Sequence, residues 1–313
     1  GLVEITRGCP RGCKFCSVTL RPLRHIPVDR ILKEITVNLE HGLKHAVLHS
    51  EDVLLYGAQG IDINPDAVLK LHTEVSKLGG RGLKTIAWAH ASLATIVLSQ
   101  RKHKLITRVT EIIYSNLEQR YLGVEVGIET GSPRLAKIVM PAKAAPFKPE
   151  EWPGIVEEAF AVMHDHYIIP AATFILGFPG EEPDDVVKTI ELLERLKKYR
   201  SIIVPMIFVP MGALKSSEGG ITGLKFTREH AEAVKIAFWH TVSWAEDIMA
   251  RFYLKGALYS PVRALLKLFL WYAKRKMVDL EEKVLPRLSS VELALTSANT
   301  DTQEESYTPL CRD

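Results

Sequence analysis

Three of the chain's four cysteines fall within eight residues, in the run Cys9-Pro10-Arg11-Gly12-Cys13-Lys14-Phe15-Cys16, a C-x3-C-x2-C pattern. Soft thiolates this close together wrap one soft metal centre, and Gly8 and Gly12 let the backbone fold tightly around it. Three is the informative number. A structural zinc takes four ligands and so does a fully ligated iron–sulfur cluster, so three thiolates leave one coordination position open. A histidine such as His25 would complete a zinc site instead, which keeps a zinc or cluster scaffold without catalysis as a competing reading. The spacing does not suit a disulfide framework and implies a reducing compartment. Cys311 lies apart in a polar tail and takes no role.

Such a loop needs a scaffold, and the sequence around it alternates. Strands are predicted near 2–5, 45–50, 84–89, 121–128, 171–176 and 202–208, with helices over 28–41, 65–78, 92–115, 132–139, 152–166 and 183–198. Pro65 after an N-cap Asn64, Gly79-Gly80 at the end of that helix, and Pro183 with Asp184 and Asp185 punctuate them as helices. Six strand–helix units in succession call for a parallel sheet with right-handed crossovers, either doubly wound or an incomplete barrel. Over 121–130 the even positions Leu122, Val124, Val126 and Ile128 are apolar, and the odd ones include Gly123, Glu125, Gly127 and Glu129. One face of that strand packs on helices and the other has room and charge for a ligand, whereas a doubly wound sheet is apolar on both. The expected fold class is therefore α/β, a partial (β/α)6 TIM-like barrel with a C-terminal helical extension. The barrel is expected over 1–212, the extension over 213–285 and a disordered Ser/Thr/Glu-rich tail over 286–313.

Composition narrows the partners. With 313 residues, 47% hydrophobic and 25% charged, the chain is globular, and 40 Lys+Arg against 37 Asp+Glu is too even to draw nucleic acid by bulk charge. No apolar run reaches the length of a membrane span and no signal peptide is visible, so the expected location is cytoplasmic. The chain opens at Gly1, without methionine, directly on strand-like Leu2-Val3-Glu4-Ile5, and a missing N-terminal portion is expected. Over 227–252, Ala231, Val234, Phe238, Val242, Ala245, Ile248 and Phe252 form one stripe. Residues 262–277 are greasier and end in Lys274-Arg275-Lys276. They suit either packing on the barrel or on a missing domain, or peripheral membrane contact that admits a lipid-like substrate.

The cysteine run, with aromatic Phe15 before its last cysteine, resembles the hallmark of the radical S-adenosylmethionine (radical SAM) superfamily, and further motifs extend the resemblance over about 2–212. It implies that Cys9, Cys13 and Cys16 hold three irons of a [4Fe–4S] cluster and that SAM chelates the fourth. Reduction by a donor such as ferredoxin or flavodoxin would then yield a 5′-deoxyadenosyl radical. His49-Ser50-Glu51-Asp52 stands where the family binds the methionine ammonium, here through Ser50 and Glu51. Glu129, in Gly127-Ile128-Glu129-Thr130-Gly131-Ser132, resembles the ribose-binding position, with helix capping before Ser132 as the plainer role. Arg134 is placed on the methionine carboxylate by the resemblance, with a solvated helix arginine as the plainer role. Gly177, in Phe174-Ile175-Leu176-Gly177-Phe178-Pro179-Gly180-Glu181, and Val209, in Phe208-Val209-Pro210-Met211-Gly212-Ala213, are placed beside adenine. Phe15 counts with the cofactor-binding set. Barrel enzymes carry their sites at strand ends, which is where these motifs fall.

The wording of 48–57, 124–135 and 174–185 looks most like the class in which a cobalamin-binding domain precedes the barrel. The resemblance thus implies cobalamin through a missing N-terminal domain, and a methyltransferase or C–C bond-forming reaction. Substrate-pocket candidates are Tyr56, Trp88, His90 and Glu125, for a small-molecule or lipid-like substrate. Methylthiotransferase-like tRNA-modifying enzymes share the motifs but usually add a basic RNA-binding module. Here the acidic stretch 301–305 makes nucleic acid an unexpected partner.

Overall fold

The computed structural model describes residues 1–216, 225–254 and 256–283, together with Leu293–Ala294. The elements follow in the order β1 (Leu2–Glu4), β2 (Thr6–Arg7), β3 (Arg24–His25), α1 (Val28–Glu40), β4 (His45–His49), α2 (Pro65–Lys77), β5 (Thr85–Trp88), α3 (Leu93–His103), α4 (Leu105–Asn116) and β6 (Leu122–Glu129). After them come α5 (Pro133–Val139), α6 (Trp152–Asp165), β7 (Ile168–Leu176), α7 (Pro183–Leu196), β8 (Ile202–Ile207), β9 (Lys225–Phe226), α8 (Arg228–Ile248), α9 (Ser260–Lys283) and β10 (Leu293–Ala294).

Strands β1, β4 and β5 pair in parallel, as do β6, β7 and β8. Just past β5 the two halves are sewn together by Glu125 N–H to the Ala89 carbonyl at 3.0 Å and Ala91 N–H to the Glu125 carbonyl at 3.1 Å. The six strands therefore run in consecutive order with helices between them, as expected. Among the described residues no pairing joins β8 to β1.

Two segments depart from the sequence reading. The helix expected over 92–115 breaks at Lys104, which sits in the left-handed region at φ 49° and separates α3 from α4. Strand β7 begins at Ile168, earlier than expected, because Ile168, Ile169 and Pro170 are buried and continue its ladder to β6. The caps behave as their residue types require. Asn64 Oδ1 accepts from Ala67 N–H at 3.1 Å, and the Asp185 carboxylate accepts from Glu182 N–H at 2.8 Å ahead of α7. The tail expected to be disordered, 286–313, lies outside the described residues except for β10, which pairs antiparallel with β9.

The core fills the space between the sheet and the helices α1 to α7. The even-numbered side of β6 faces it, with Leu122 and Ile128 fully buried. Trp88 belongs to the same layer: its indole N–H donates to His72 Nε2 at 3.0 Å, and His72 Nδ1 lies 2.8 Å from the Val68 carbonyl. Burial holds His72 neutral by lowering its pKa to about 4, and it lowers that of His240, 2.7 Å from the Ser201 hydroxyl, to about 4 as well. An unfolded histidine takes up its proton near pH 6.5, so these two contribute stability that is full above that pH. It is lost as the pH falls from 6.5 toward 4, with on the order of 3 kcal/mol from each group. The stability read from equilibrium unfolding is expected to fall steadily from pH 7 to pH 4.5; a flat profile contradicts neutral buried imidazoles.

Candidate active site

The cysteine loop leaves the sheet after β1 and is closed at its neck by β2 and β3, which pair Thr6 with His25 and Arg7 with Arg24. Gly8 has φ 90° there, and a Cβ would overlap the Pro22 carbonyl, so the residue before the first cysteine must be glycine. The loop is then stapled at its middle. Lys14 N–H donates to the Val139 carbonyl at 2.9 Å, and the Lys14 carbonyl accepts from Ala213 N–H at 2.7 Å. Arg11, buried between the first two cysteines, donates to the carbonyls of Lys143 at 2.8 Å and Ala145 at 3.0 Å and to the Thr95 hydroxyl. It also lies 3.5 Å from Asp52, which accepts from Thr95 at 2.6 Å. Burial pushes the Asp52 carboxyl up, against the pull of Arg11 and Thr95. Neither Arg11 nor Thr95 was expected to matter, since nothing in the sequence marks a buried arginine as a loop anchor.

The anchored loop presents Cys9, Cys13 and Cys16 to a cavity of 380 Å³ that Phe15, Glu51, Glu129, His90 and Glu125 also line. Burial raises the thiol of Cys9 and pushes that of Cys13 up to about 11, so loading a metal centre releases protons from them. The ring of Phe15 packs on Phe178 at 5.3 Å, and Phe178 packs on Phe208 at 5.5 Å. Three motifs far apart in sequence thus meet through their aromatic residues.

Glu129 reaches this cavity by a backbone irregularity. The register of β6 on β7 shifts between Gly127 and Glu129, and Glu129 takes φ 62°, a left-handed conformation uncommon for a side-chain-bearing residue. Its Oε1 accepts from Lys143 Nζ, while its buried Oε2 has no partner. Gly127 makes the pair possible, because a Cβ there would overlap both charged groups. The plainer role for Glu129 does not hold: Ser132 caps α5 with its own hydroxyl, which accepts from Leu135 N–H at 3.2 Å. Lys143, fourteen residues after Glu129, was missed because no spacing rule ties a loop lysine to a strand-end carboxylate.

Other expected residues lie elsewhere. Ser50 is fully buried, 2.5 Å from the Thr6 hydroxyl, and accepts from Asp52 N–H at 3.1 Å; it shapes the turn that presents Glu51 and does not line the thiol cavity. Arg134 points at α7, held by Asp185, by Glu182 at 3.2 Å and by the Gly180 carbonyl at 2.8 Å, not toward the thiols. Gly177, at φ 81°, donates its N–H to Glu181 Oε1 at 3.0 Å, and Val209 is half exposed; neither lines the thiol cavity. Tyr56 is buried with its hydroxyl donating to the Ile26 carbonyl at 2.7 Å, and it lines neither the thiol cavity nor a second, larger cavity between the sheet and the helices α8 and α9. Trp88 borders the larger of them, but its N–H is spent on His72. His90 and Glu125 stand together at the thiol cavity's edge, with Nε2 3.0 Å from Glu125 Oε2 and Nδ1 3.3 Å from the Ser50 carbonyl. The histidine proposed to complete a zinc site is occupied: His25 Nδ1 accepts from Gly57 N–H at 3.1 Å and Nε2 lies 3.0 Å from the Ala58 carbonyl.

The family model of the Radical SAM superfamily matches residues 3–193. This chain belongs to the radical SAM superfamily. It is therefore an enzyme of the kind that uses a [4Fe–4S] cluster and SAM. Among curated relatives, an uncharacterised protein of Methanopyrus kandleri is 25% identical over 194 residues, 61% of this chain and 34% of its own. The ribosomal protein uS12 methylthiotransferase RimO of Dechloromonas aromatica is 27% identical over 227 residues, 70% of this chain and 47% of its own. A tRNA-2-methylthio-N(6)-dimethylallyladenosine synthase of Thermotoga petrophila is 27% identical over 200 residues, 63% and 41%. The chain thus spans about a third to a half of the length of these relatives. Among solved structures, the radical SAM methyltransferase TsrM of Kitasatospora setae, with cobalamin and a [4Fe–4S] cluster bound, aligns at 14% identity and a TM-score of 0.48, over 66% of this chain and 36% of that one.

The residues of this radical SAM enzyme fit those two groups. Three soft donors, with no histidine free to make a fourth at His25, suit a cluster that keeps one iron open. The unpartnered Glu129 Oε2 is a buried acceptor waiting for a donor, which a sugar hydroxyl supplies. Among the described residues no helix is long and apolar enough to cross a membrane.

Proposed function

We propose that this enzyme is the catalytic core of a cobalamin-dependent radical SAM enzyme, a methyltransferase or a C–C bond-forming catalyst, built as an open six-stranded barrel over 1–212 with a helical extension over 213–285. One observation carries the reading: a cavity joins three thiols to a buried, half-satisfied carboxylate and shares His90 and Glu125 with a second cavity bordered by all six parallel strands. The chemistry supplied by the cluster and SAM, when bound, is reductive cleavage of the sulfonium to methionine and a 5′-deoxyadenosyl radical that abstracts hydrogen. Cys9, Cys13 and Cys16 hold the cluster. Glu51 accepts from the methionine ammonium and Glu129 Oε2 from the ribose hydroxyls, while Phe15, backed by Phe178, screens the thiols from water. His90 and Glu125 stand between the two cavities and orient what enters from the larger one. The electron comes from a ferredoxin- or flavodoxin-type donor, and a cytoplasmic location suits three thiols kept reduced.

The cobalamin assignment is supported by the wording of the motifs at 48–57, 124–135 and 174–185. A methylthiotransferase is the second reading, supported by relatives at 24–27% identity. Anaerobic reconstitution with iron and sulfide tests the first layer: a brown protein that releases 5′-deoxyadenosine from SAM on reduction supports the enzyme, and a colourless zinc-bound protein refutes it. Cobalamin retained by the complete reading frame supports the finer assignment; a complete frame with no cobalamin-binding segment ends it.

A further inference from the structure

This mechanism leaves the second cavity without an occupant. At 1100 Å³ it exceeds the range of about 300–1,000 Å³ that serves drug-sized ligands. It lies between the open face of the sheet and the helices α8 and α9, and it shares His90 and Glu125 with the thiol cavity. Its walls are apolar, formed by Val47, Ile169, Ile203, Phe238, Val242 and Leu266 among others, and no lysine or arginine lines it. The hydroxyl of Thr241 is already spent, donating to the Ile203 carbonyl and accepting from Ile203 N–H, each at 2.9 Å. None of the buried polar atoms left without a partner belongs to a residue lining it. A phosphate, a nucleotide or an RNA strand would be desolvated there with no lysine or arginine to replace its water.

The space is kept open by residue choice. Five residues of the apolar stripe over 227–252, Val234, Phe238, Val242, Ala245 and Ile248, line this cavity. Small residues stand on every side: Ala89 and Ala171 on the sheet, Ala245 on α8, Ala273 on α9. Gly123 sits inside β6 with an ordinary backbone, and a Cβ added there would meet only Tyr253 Oη, at 4.0 Å. Glycine in a strand interior weakens the strand, and one that is neither turning nor crowded marks a place where something else approaches.

We infer that the substrate is lipid-like: a long or polycyclic neutral hydrocarbon skeleton whose body fills the cavity under α8 and α9 and whose reacting carbon is turned toward His90 and Glu125. The inference rests on the reading of the thiol cavity as the place where hydrogen is abstracted. It deepens that reading by naming what is abstracted from.

The test uses the cluster-reconstituted chain and diphenylhexatriene, a neutral hydrocarbon that fluoresces on leaving water, with geranylgeraniol as competitor and adenosine and a short RNA as controls. Saturable one-to-one binding displaced only by geranylgeraniol is expected. Gly123→Leu and, independently, Ala273→Phe fill the cavity and are expected to weaken binding by on the order of tenfold or more. Leu268→Ser, on the exposed outer face of α9 and not lining the cavity, is expected to leave it unchanged. No saturable binding, binding indifferent to both filling variants, or binding lost with Leu268→Ser overturns the inference. Cluster absorbance and 5′-deoxyadenosine release are read on the same wild-type sample. A sample that passes both yet binds no hydrocarbon refutes the substrate class alone, whereas one that forms no cluster refutes the mechanism.

Discussion

Cys13→Ser is expected to abolish cluster assembly and with it all reductive cleavage of SAM, leaving only the background of cluster-free protein, while the fold survives. The reason is ligand chemistry more than shape. A serine hydroxyl has the size of the thiol but is a hard, neutral donor that does not replace a thiolate on iron. Cys13 is the most buried of the three, 8% exposed against the half-buried Cys9 and Cys16, so no outside thiol can substitute for it. The loop around it is held by bonds that do not involve sulfur, namely those of Lys14 to Val139 and Ala213 and those of Arg11 to Lys143 and Ala145. Circular dichroism and unfolding of the variant should therefore match the apo wild type, and iron content should fall to near none. A variant that keeps its iron and releases 5′-deoxyadenosine removes Cys13 from the ligand set.

The contrast between sulfur and scaffold explains what could be read from the sequence and what could not. Cysteines at fixed spacing announce their chemistry because few other demands put three thiols within eight residues. The strand order was legible for a similar reason: hydrophobic period and helix punctuation are local signals, and Asn64, Pro65 and Pro183 do in the structure what their side chains dictate. Ser50 and Arg134 show the limit. Each belongs to a recognisable motif, but orientation is decided by partners distant in sequence, Thr6 for the one and Asp185 for the other. Glu129 shows the opposite outcome. Alternation along β6 put it on the same side as Glu125, and the bulge after Gly127 then re-aims it at a lysine no local pattern predicts. The polar lumen expected from β6 also proved to be only half of the story. Glu125 stands at a border, with the thiols on one side and an apolar chamber on the other, because α8 and α9 bring a hydrophobic roof whose position depends on tertiary contacts.

The buried pair of Glu129 and Lys143 is where the second large effect is expected, and two measurements on the same variants separate its two roles. Removing one partner of a buried ion pair leaves the other charge uncompensated and costs about 3–5 kcal/mol. Glu129→Gln and Lys143→Met are each expected to lose stability of that order in denaturant unfolding of the apo protein. The double variant is expected to lose less than the two single losses together, because no lone charge remains. SAM binding should not follow this pattern. Oε2 of Glu129 is the unpartnered acceptor, and hydrogen bonds to a charged acceptor contribute about 1.5–3 kcal/mol, so Glu129→Gln is expected to weaken SAM by about 10- to 100-fold. The double variant, lacking the same carboxylate, is expected to bind SAM no better than Glu129→Gln even though its fold is partly rescued. Calorimetric titration of the reconstituted proteins reads this directly. Full SAM affinity in Glu129→Gln would reduce the pair to a structural clamp on the loop that carries Lys143, and recovery of affinity together with stability in the double variant would say the same.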